Sequence, residues 1–308
     1  MSAGTAIQWA TDSWNFLAGC EKVSRGCKFC YAARLAATRL RHTDKYQGLA
    51  VQFGGVPRWT REVRLDANTL LLPLKWRKGS EEPRRVFVNS MSDLYHDDVD
   101  DDTIRKAFSV MASTPHHRYL ILTKRPVRMK QIARSLKVCP TDWFMANDPV
   151  ADWAREHGLT SVAWLGGADP DIIPNVALGV SVEDQESFRS RVPILQASPA
   201  ATRFLSVEPL VEDLGSISQA LGGLNPIDWI IVGGESGPKK LVASFDISWA
   251  VSLRDQCRGK AAFFYKQPGS VVLYGGKAEV PANWTREAID SGLCLADLPG
   301  EFPLTFRY

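Results

Sequence analysis

Three cysteines near the start of the chain are the residues whose types and spacing best suit chemistry. Cys20, Cys27 and Cys30 fall within eleven residues, whereas the other three cysteines of the 308-residue chain are scattered far downstream. Thiolates at such short spacing bind an iron–sulfur cluster or a zinc ion. Structural zinc takes four protein ligands, and no fourth cysteine or histidine lies nearby in the sequence. We therefore predict a 4Fe–4S cluster on these three cysteines, with zinc, reduced thiols or a disulfide as alternatives.

Polar residues follow six short apolar runs, at the points where the runs end. The runs cover residues 86–88, 119–122, 176–180, 203–207, 229–232 and 261–265. Continuous apolar runs are typical of parallel strands covered on both faces, and functional groups gather where such strands end. The polar or small residues at these ends are Asn89, Ser90, Ser92, Asp93, Thr123, Lys124, Arg125, Ser181, Glu183, Asp184, Glu208, Gly233, Gly234, Glu235, Ser236, Lys266 and Gln267. So many converging acids and bases favour an enzyme over a simple binding module.

The elements that must position these residues alternate between strands and helices. Asp100 is predicted to cap one helix with an apolar stripe, and Asp246 another, which makes Cys257 a core residue rather than a ligand. One more strand is predicted near residues 14–17, just before the cysteine loop. Seven parallel strands predict an α/β protein with a full or partial (β/α) TIM-like barrel, and a doubly wound open sheet is the second possibility.

The domain organisation is predicted to be one barrel domain over residues 1–308. Residues 139–175 interrupt the alternation of strands and helices. They are acidic and rich in tryptophan. They predict an insertion, either a lid or a packed excursion, with packing slightly favoured. Residues 268–308 are expected to form a C-terminal extension. His116 and His117 are expected at the surface, and His96 is the one histidine held as a site candidate.

The charge is distributed unevenly along the chain. Residues 1–140 contain 24 basic and 13 acidic residues, whereas residues 141–308 contain 13 basic and 21 acidic ones. The basic half includes the cysteine loop, so a nucleic acid or nucleotide is expected as a partner. No apolar stretch of membrane-spanning length and no signal-like start are found, which predicts no membrane partner and a cytoplasmic location. A reducing cytoplasm also suits a thiolate-bound cluster.

Longer motifs resemble a known group of proteins. They include Trp14–Cys20 with Cys27–Ala32, Phe87–Leu94, Leu122–Pro126, Leu178–Asp184, Ser206–Leu210 and Val232–Gly237. In these stretches the chain resembles the phage-associated three-cysteine-motif family, an uncharacterised group, over about Trp9 to Gln267 without the insertion. That group in turn resembles the radical S-adenosylmethionine (SAM) enzymes, which have a partial or full (β/α) barrel and a three-cysteine loop after the first strand. The spacing differs from their usual pattern, because six residues separate Cys20 from Cys27.

The resemblance implies a cofactor pair, a 4Fe–4S cluster and SAM, together with an electron donor that drives cleavage of SAM to a 5′-deoxyadenosyl radical. It implies three groups of SAM-binding residues: Asn89, Ser90 and Asp93 for the amino group; Ser181 and Glu183 for the ribose or carboxylate; and Gly233, Gly234 and Glu235 for the adenine side. Lys124, Arg125, Glu208 and Lys266 would anchor substrate or transfer protons. The expected function is modification or repair of a nucleic acid or nucleotide. A zinc-stapled nucleic-acid-binding protein and an iron–sulfur redox sensor are the alternatives.

Overall fold

The computed structural model describes residues 5, 7–76, 83–144 and 147–277, with the following elements in chain order. The strands are β1 Asp12–Trp14, β2 Leu17–Ala18, β3 Ala50–Phe53, β4 Val56–Trp59, β5 Arg64–Leu65, β6 Arg85–Val88, β7 Arg118–Thr123, β8 Leu136–Pro140, β9 Ser161–Leu165, β10 Val176–Ser181, β11 Thr202–Val207, β12 Trp229–Gly233, β13 Phe245–Asp246, β14 Ala262–Gln267 and β15 Val272–Leu273. The helices are α1 Tyr31–Ala37, α2 Ala67–Leu70, α3 Asp101–Ser113, α4 Pro126–Ser135, α5 Pro149–Glu156, α6 Gln185–Gln196 and α7 Ile247–Cys257, with short 3-10 turns at Arg25–Cys27, Leu72–Lys75 and Thr141–Trp143. Cys294 and residues 278–308 of the expected C-terminal extension lie outside the described residues.

Seven strands form the main sheet, in the order β1-β6-β7-β10-β11-β12-β14. The pairs β1–β6, β6–β7, β11–β12 and β12–β14 are parallel. The order of the strands across the sheet is their order along the chain, so the sheet is wound in one direction as in a (β/α) barrel. In a doubly wound sheet the strand order reverses part-way across the sheet. Within the described residues β1 and β14 are its edges. The α/β fold with a partial (β/α) barrel sheet is thus confirmed, and the doubly wound alternative was wrong.

The strands and helices form where the sequence patterns predicted them. Every residue of β10, β11 and β12 is buried, as expected for strands covered on both faces. The Asp100 carboxylate accepts a hydrogen bond from the Thr103 N–H and starts α3. The Asp246 carboxylate likewise accepts from the Ser248 N–H at the start of α7. Cys257 ends that helix in the core, 1% exposed, so its core assignment is confirmed.

The chain divides into two compact units, each described by itself below. Unit 1 comprises residues 1–23, 30–178 and 198–201, and unit 2 comprises residues 24–29, 179–197 and 202–308. The cysteine loop is shared between them, because Cys20 and Cys30 belong to unit 1 and Cys27 to unit 2. The expected single barrel domain stays a prediction.

The tryptophan-rich segment of unit 1 is packed along its length. β8 pairs antiparallel with β9, so the expected start of the segment at residue 139 lies inside a paired strand. Val150 of α5 and Val162 of β9 are fully buried. The Arg105 side chain of α3 donates to the Ala163 carbonyl at 3.1 Å and forms an ion pair with Asp148. These contacts are those of a packed excursion, while the assignment of the segment as an insertion or lid stays a prediction.

His117 is buried, so its expected surface position was wrong. The residue follows the end of α3, where its N–H donates to the Thr114 carbonyl and turns the chain inward. Its ring meets the Trp76 ring edge-on, with 5.2 Å between the ring centroids. Burial, together with the neighbouring His116, lowers the pKa of His117 to about 4. A polar residue ahead of a strand is therefore a poor indicator of exposure in this fold.

Candidate functional site

The start of the cysteine loop is held closely by unit 1. β1 ends at the fully buried Trp14, and β2 pairs with β5 just before the loop. Gly19 has a φ of 98°, and a side chain there would collide with the Glu62 carbonyl oxygen. Glycine is therefore required at this position for two reasons, the backbone conformation and the close approach of another chain segment. This arrangement fixes where Cys20 enters the site.

The Cys20 thiol lies in a buried environment with charged neighbours. Burial raises the pKa of Cys20 to about 12; the Asp93 carboxylate and the Cys30 thiol raise it further, whereas Arg125 opposes them. The interaction with Cys30 means that these two sulfurs of unit 1 lie within electrostatic range of each other. A thiol in such surroundings stays protonated on its own, and a bound metal ion is the usual agent that stabilises the thiolate.

A buried network joins Asp93, Arg125 and Glu21 beside this thiol. The Asp93 carboxylate accepts hydrogen bonds from the Thr123 hydroxyl at 2.8 and 2.9 Å, and from the Lys124 N–H at 3.2 Å. Arg125 donates to Asp93 at 3.1 Å and, through its other terminal nitrogen, to Glu21 at 3.0 Å. Burial would lower the pKa of Arg125, but Asp93, Cys20 and Glu21 raise it above its usual value. Arg125 thus clamps the residue next to Cys20 onto the ends of β6 and β7.

Asn89 and Ser90 hold the chain that enters and leaves the loop. Asn89 has a φ of 55°, and its Oδ1 accepts from the Leu17 N–H at 3.1 Å. Its buried Nδ2 has no hydrogen-bond partner among the described residues. The Ser90 hydroxyl donates to Asn15 Oδ1 at 3.0 Å, and its carbonyl accepts from the Tyr31 hydroxyl at 2.5 Å. Both predicted SAM-binding residues therefore order the loop, and the Asn89 Nδ2 remains available to a ligand.

His96, the candidate histidine, is buried close to the same network. Its Nδ1 accepts from the Asp98 N–H at 3.2 Å, and its Nε2 has no hydrogen-bond partner in the part of the chain that the structure describes. Burial and the Arg125 charge lower the pKa of His96. A neutral imidazole with an unused ring nitrogen is suited to a hydrogen bond with a bound molecule.

In unit 2, Glu183 holds the middle of the cysteine loop. Its side chain is 1% exposed. Oε1 accepts from the Ser24 hydroxyl at 2.6 Å, and Oε2 accepts from Arg191 at 3.2 Å. Arg191 also donates to the Ser181 carbonyl at 2.8 Å. A Cβ added at Gly26 would stand 2.7 Å from Glu183 Cγ, so the loop backbone lies directly on this carboxylate side chain.

A second ion pair of unit 2 lies at the ends of its strands. Lys266 Nζ is 2.6 Å from Glu208 Oε2, and the Ser206 hydroxyl donates to the other carboxylate oxygen at 3.2 Å. Glu208 follows β11 and Lys266 belongs to β14, with β12 between these strands. A Cβ at Gly233, the last residue of β12, would stand 3.2 Å from Glu208 Oε2. The absence of a side chain at Gly233 leaves room for the pair to close over β12.

Gly234 and Glu235 bind neighbouring loops of unit 2. A side chain at Gly234 would collide with the Pro268 carbonyl group, so two backbone segments meet there. Glu235 Oε2 accepts from the Ala243 N–H at 2.7 Å. This carboxylate therefore orders the loop after β12.

The structure groups the predicted residues into separate sets within the two units. Unit 1 joins Cys20, Asp93 and Arg125, with Lys124 in contact through its backbone. Unit 2 joins Ser181 with Glu183, and Glu208 with Lys266 and Gly233. Sequence reasoning placed Thr123 among the polar strand ends but missed Glu21, Ser24 and Arg191. Glu21 and Ser24 lie inside the cysteine loop and could have been considered, whereas nothing in the sequence distinguishes Arg191 from other helical arginines.

The cysteine loop fits a metal cluster by its donor chemistry. Three soft thiols, all partly exposed, are the ligand type that iron–sulfur clusters use. In the described residues no three His, Cys, Asp or Glu side chains are arranged as a metal-holding group. Cluster binding by Cys20, Cys27 and Cys30 therefore stays a prediction.

No helix among the described residues has the length and apolar character needed to cross a membrane.

The chain belongs to the family described as "Protein of unknown function (DUF5131)", which matches residues 4–288. No curated protein matches it significantly. Among solved structures it is similar to a spore photoproduct lyase complexed with dinucleoside spore photoproduct, with 11% identity and a TM-score of 0.41, over 84% of this chain and 64% of the lyase. Two mutants of spore photoproduct lyase also match at 11% identity and a TM-score of 0.38; one match covers 76% of this chain and 58% of the lyase, the other 97% and 65%.

The chain therefore spans less than two thirds of the length of these lyase chains. Similarity at this level identifies neither an activity nor a substrate. Membership of the DUF5131 family is shown, whereas the phage association and the three-cysteine motif of the resemblance stay predictions.

Proposed function

We propose that this member of the DUF5131 family is an iron–sulfur enzyme of the radical SAM kind that modifies or repairs a nucleic acid or nucleotide in the cytoplasm. Cys20, Cys27 and Cys30 would hold the 4Fe–4S cluster. When bound, the cluster and SAM supply a 5′-deoxyadenosyl radical after one-electron reduction by an external donor. The proposal is supported above all by one observation: a three-thiol loop follows the first strand of an open, singly wound parallel sheet.

Four residues of unit 1, Asn89, Ser90, Asp93 and Arg125, would hold the first part of the cysteine loop and the amino end of SAM. Arg125 binds Glu21 and Asp93 together, so Cys20 is held beside a positive charge. Asn89 presents an unused buried Nδ2, which suits a carbonyl or carboxylate oxygen of a bound molecule. Asp93 would orient Arg125 and receive the amino group, with Ser90 holding the chain before the loop.

The residues of unit 2 would orient the rest of the cofactor and the substrate. Glu183 and Ser181 would hold the loop segment around Cys27 and contribute to the SAM ribose or carboxylate site. Gly233, Gly234 and Glu235 would line the adenine side, where their close backbone packing excludes water. Lys266 is suited to a substrate anion or to proton transfer, because its ammonium is held against Glu208 at 2.6 Å and stays partly exposed.

Metal analysis of anaerobically purified protein tests the cluster. We expect iron and sulfide in a 4:4 ratio per chain with a brown chromophore. Each of Cys20→Ala, Cys27→Ala and Cys30→Ala should lose the chromophore. Cys139→Ala is the matched control, because Cys139 is also a partly exposed free cysteine of unit 1 but lies in β8. Stoichiometric zinc without iron, or loss of the chromophore in the control alone, would contradict the proposal.

Reductive cleavage of SAM tests the chemistry. Reduced, cluster-loaded protein should form 5′-deoxyadenosine from SAM, and oxidised protein should not. Asp93→Asn is expected to weaken SAM binding, and Lys266→Met to leave this binding unchanged while it impairs turnover of the substrate. Fully loaded, reduced protein that neither binds SAM nor forms 5′-deoxyadenosine would leave the cluster with a role in redox sensing instead.

A further inference from the structure

A two-stranded ribbon in unit 1 stands apart from the main sheet. β3 and β4 pair antiparallel with each other only, from Ala50 opposite Trp59 to Phe53 opposite Val56. Gly54 and Gly55 join them with φ values of 56° and 76°. Two consecutive positive φ values are those of the tight turn that suits the twist of such a ribbon. The ribbon is therefore a well-defined hairpin with two distinct faces.

The inner face of the ribbon is buried against helix α1. Ala50 and Trp59 form one cross-strand pair, and both pack on the cluster that contains Ala36 and Leu49. Cys30 packs on the same cluster. The ribbon, helix α1 and the last cysteine of the loop thus share one small hydrophobic core.

The outer face of the ribbon is apolar and exposed. Cross-strand partners share a face, and so do residues two apart, which places Val51, Phe53, Val56 and Arg58 together on the outside. Val51 is 49% exposed and Phe53 is 64% exposed. The Arg58 guanidinium lies 4.6 Å from the centroid of the Phe53 ring. A large aromatic ring exposed beside an aliphatic neighbour on an isolated ribbon is typical of an interaction surface.

The charge around the outer face points to an anionic partner. Residues 31–66 contain seven basic and three acidic residues. Two of the three acids are paired within unit 1, Asp66 with Lys45 at 2.9 Å and Glu62 with Arg64 at 2.6 Å. Exposed arginines precede the ribbon in sequence at Arg34, Arg39 and Arg41, and Arg61, which follows it, lies 3.7 Å from the Glu21 carboxylate. The net positive charge therefore remains at the surface.

We infer that the outer face of this ribbon, Val51, Phe53, Val56 and Arg58, binds single-stranded nucleic acid. A base stacks on the Phe53 ring and on the Arg58 guanidinium plane, and the arginines of α1 and its following turn contact phosphates. An exposed aromatic ring combined with the exposed arginines Arg34, Arg39 and Arg41 is what distinguishes this partner from an apolar protein surface. The inference deepens the proposed nucleic-acid substrate and rests on it for the role of the bound strand.

Fluorescence anisotropy with labelled oligothymidylate and oligouridylate of about 15 nucleotides tests the inference on the full chain over a salt series. Phe53→Ala should weaken binding about tenfold, or about 1.4 kcal/mol, without changing the salt dependence, since it removes base stacking but no charge. Arg39→Gln, which removes one proposed phosphate contact, should weaken binding and reduce the slope of log Kd against log salt by about 1. Trp143→Ala is the matched control, because Trp143 is 76% exposed in the same unit but lies in the tryptophan-rich segment; it should leave Kd within about twofold.

Several results would overturn the inference. One is the absence of binding at low salt. Another is equal binding by Phe53→Ala and the unaltered chain, or a larger loss in Trp143→Ala than in Phe53→Ala. A dimer in light scattering that dissociates in Phe53→Ala would assign the face to a second copy of the chain instead. Oligonucleotide binding is measured independently of SAM cleavage, so failure of the ribbon site and failure of the proposed chemistry give different results.

Discussion

The start and the middle of the cysteine loop are held by carboxylates in two different ways. In unit 1, Asp93 reaches the loop indirectly, because Arg125 bridges it to Glu21. In unit 2, the Glu183 carboxylate contacts the loop itself, through the Ser24 hydroxyl and the backbone at Gly26. Long side chains make the first link adjustable, whereas backbone contact makes the second one rigid.

In both places a buried carboxylate serves to hold the cysteine loop. Both carboxylates were predicted as SAM-binding residues, and both have an arginine partner that is nearly buried. Each therefore holds part of the cysteine loop in place. Such loop ordering is the form of preorganisation that a reactive site needs.

The largest loss of stability is expected when the link from Asp93 through Arg125 to Glu21 is removed. Arg125→Met removes the only described cation that bridges Asp93 and Glu21, and leaves a carboxylate that is 8% exposed without its charge partner. Loss of one partner from a buried pair costs about 3–5 kcal/mol of unfolding free energy. Urea unfolding measures it, with the exposed Arg41→Met as the control. A loss below about 1 kcal/mol would mean that Thr123 and the backbone hold Asp93 alone.

Acid should destabilise the protein through His117, a buried histidine of unit 1. His117 has a pKa of about 4 in the folded protein against 6.5 unperturbed, so the unfolded chain binds the proton more tightly. Stability from the neutral ring is complete above pH 6.5 and falls as the pH drops towards 4. The interval of about 2.5 pH units corresponds to roughly 3 kcal/mol. Urea unfolding at pH 7 and pH 4 measures it.

The control for this prediction is His117→Phe, which keeps an aromatic ring against Trp76. It should remove the part of the acid loss that comes from His117, about 3 kcal/mol, and leave the part that comes from His96, whose pKa burial also lowers. An unchanged difference between pH 7 and pH 4 in this variant would assign the acid sensitivity to other groups.

The contact between Glu183 and the backbone at Gly26 in unit 2 is tested by adding one methyl group at Gly26. Gly26→Ala places a Cβ 2.7 Å from Glu183 Cγ and 3.0 Å from Pro209 Cδ, and we expect a loss of about 1–3 kcal/mol from overpacking. Gly222→Ala is the matched control in the same unit, because the nearest atom would lie at an ordinary 3.4 Å. Equal stability of the two variants would show that the Ser24–Phe29 segment adjusts as freely as the Glu21 side.

The smallest effect on stability is expected at the Glu208–Lys266 pair. Lys266 is 26% exposed, so Lys266→Met should change the unfolding free energy by about 1 kcal/mol or less. In the proposed enzyme the same change should abolish substrate turnover, because the ammonium is lost. Lys260→Met, an exposed lysine of unit 2, is the control in both measurements. A large loss of stability in Lys266→Met would make this pair a third structural anchor.

Much of the fold could be predicted from local patterns. Continuous apolar runs indicated the parallel strands, and Asp100 and Asp246 indicated two helix starts, because caps and burial periodicity act over a few residues. The polar ends of the strands indicated which residues lie near the site for the same reason. His117 shows the limit of this reasoning, since its burial depends on the distant Trp76 ring.

The sequence by itself determined the α/β class, the strands, the cysteine loop and the polar residues beside it, since each depends on residue type and short-range spacing. Only the tertiary structure decided which of those polar residues already have partners. Arg125 joins Glu21 to Asp93 across 104 and 32 positions of the chain, and Glu183 joins Ser24 across 159. Such pairs depend on the packing of the whole chain, because a buried charge needs a polar or charged partner and only the fold decides which one lies near it.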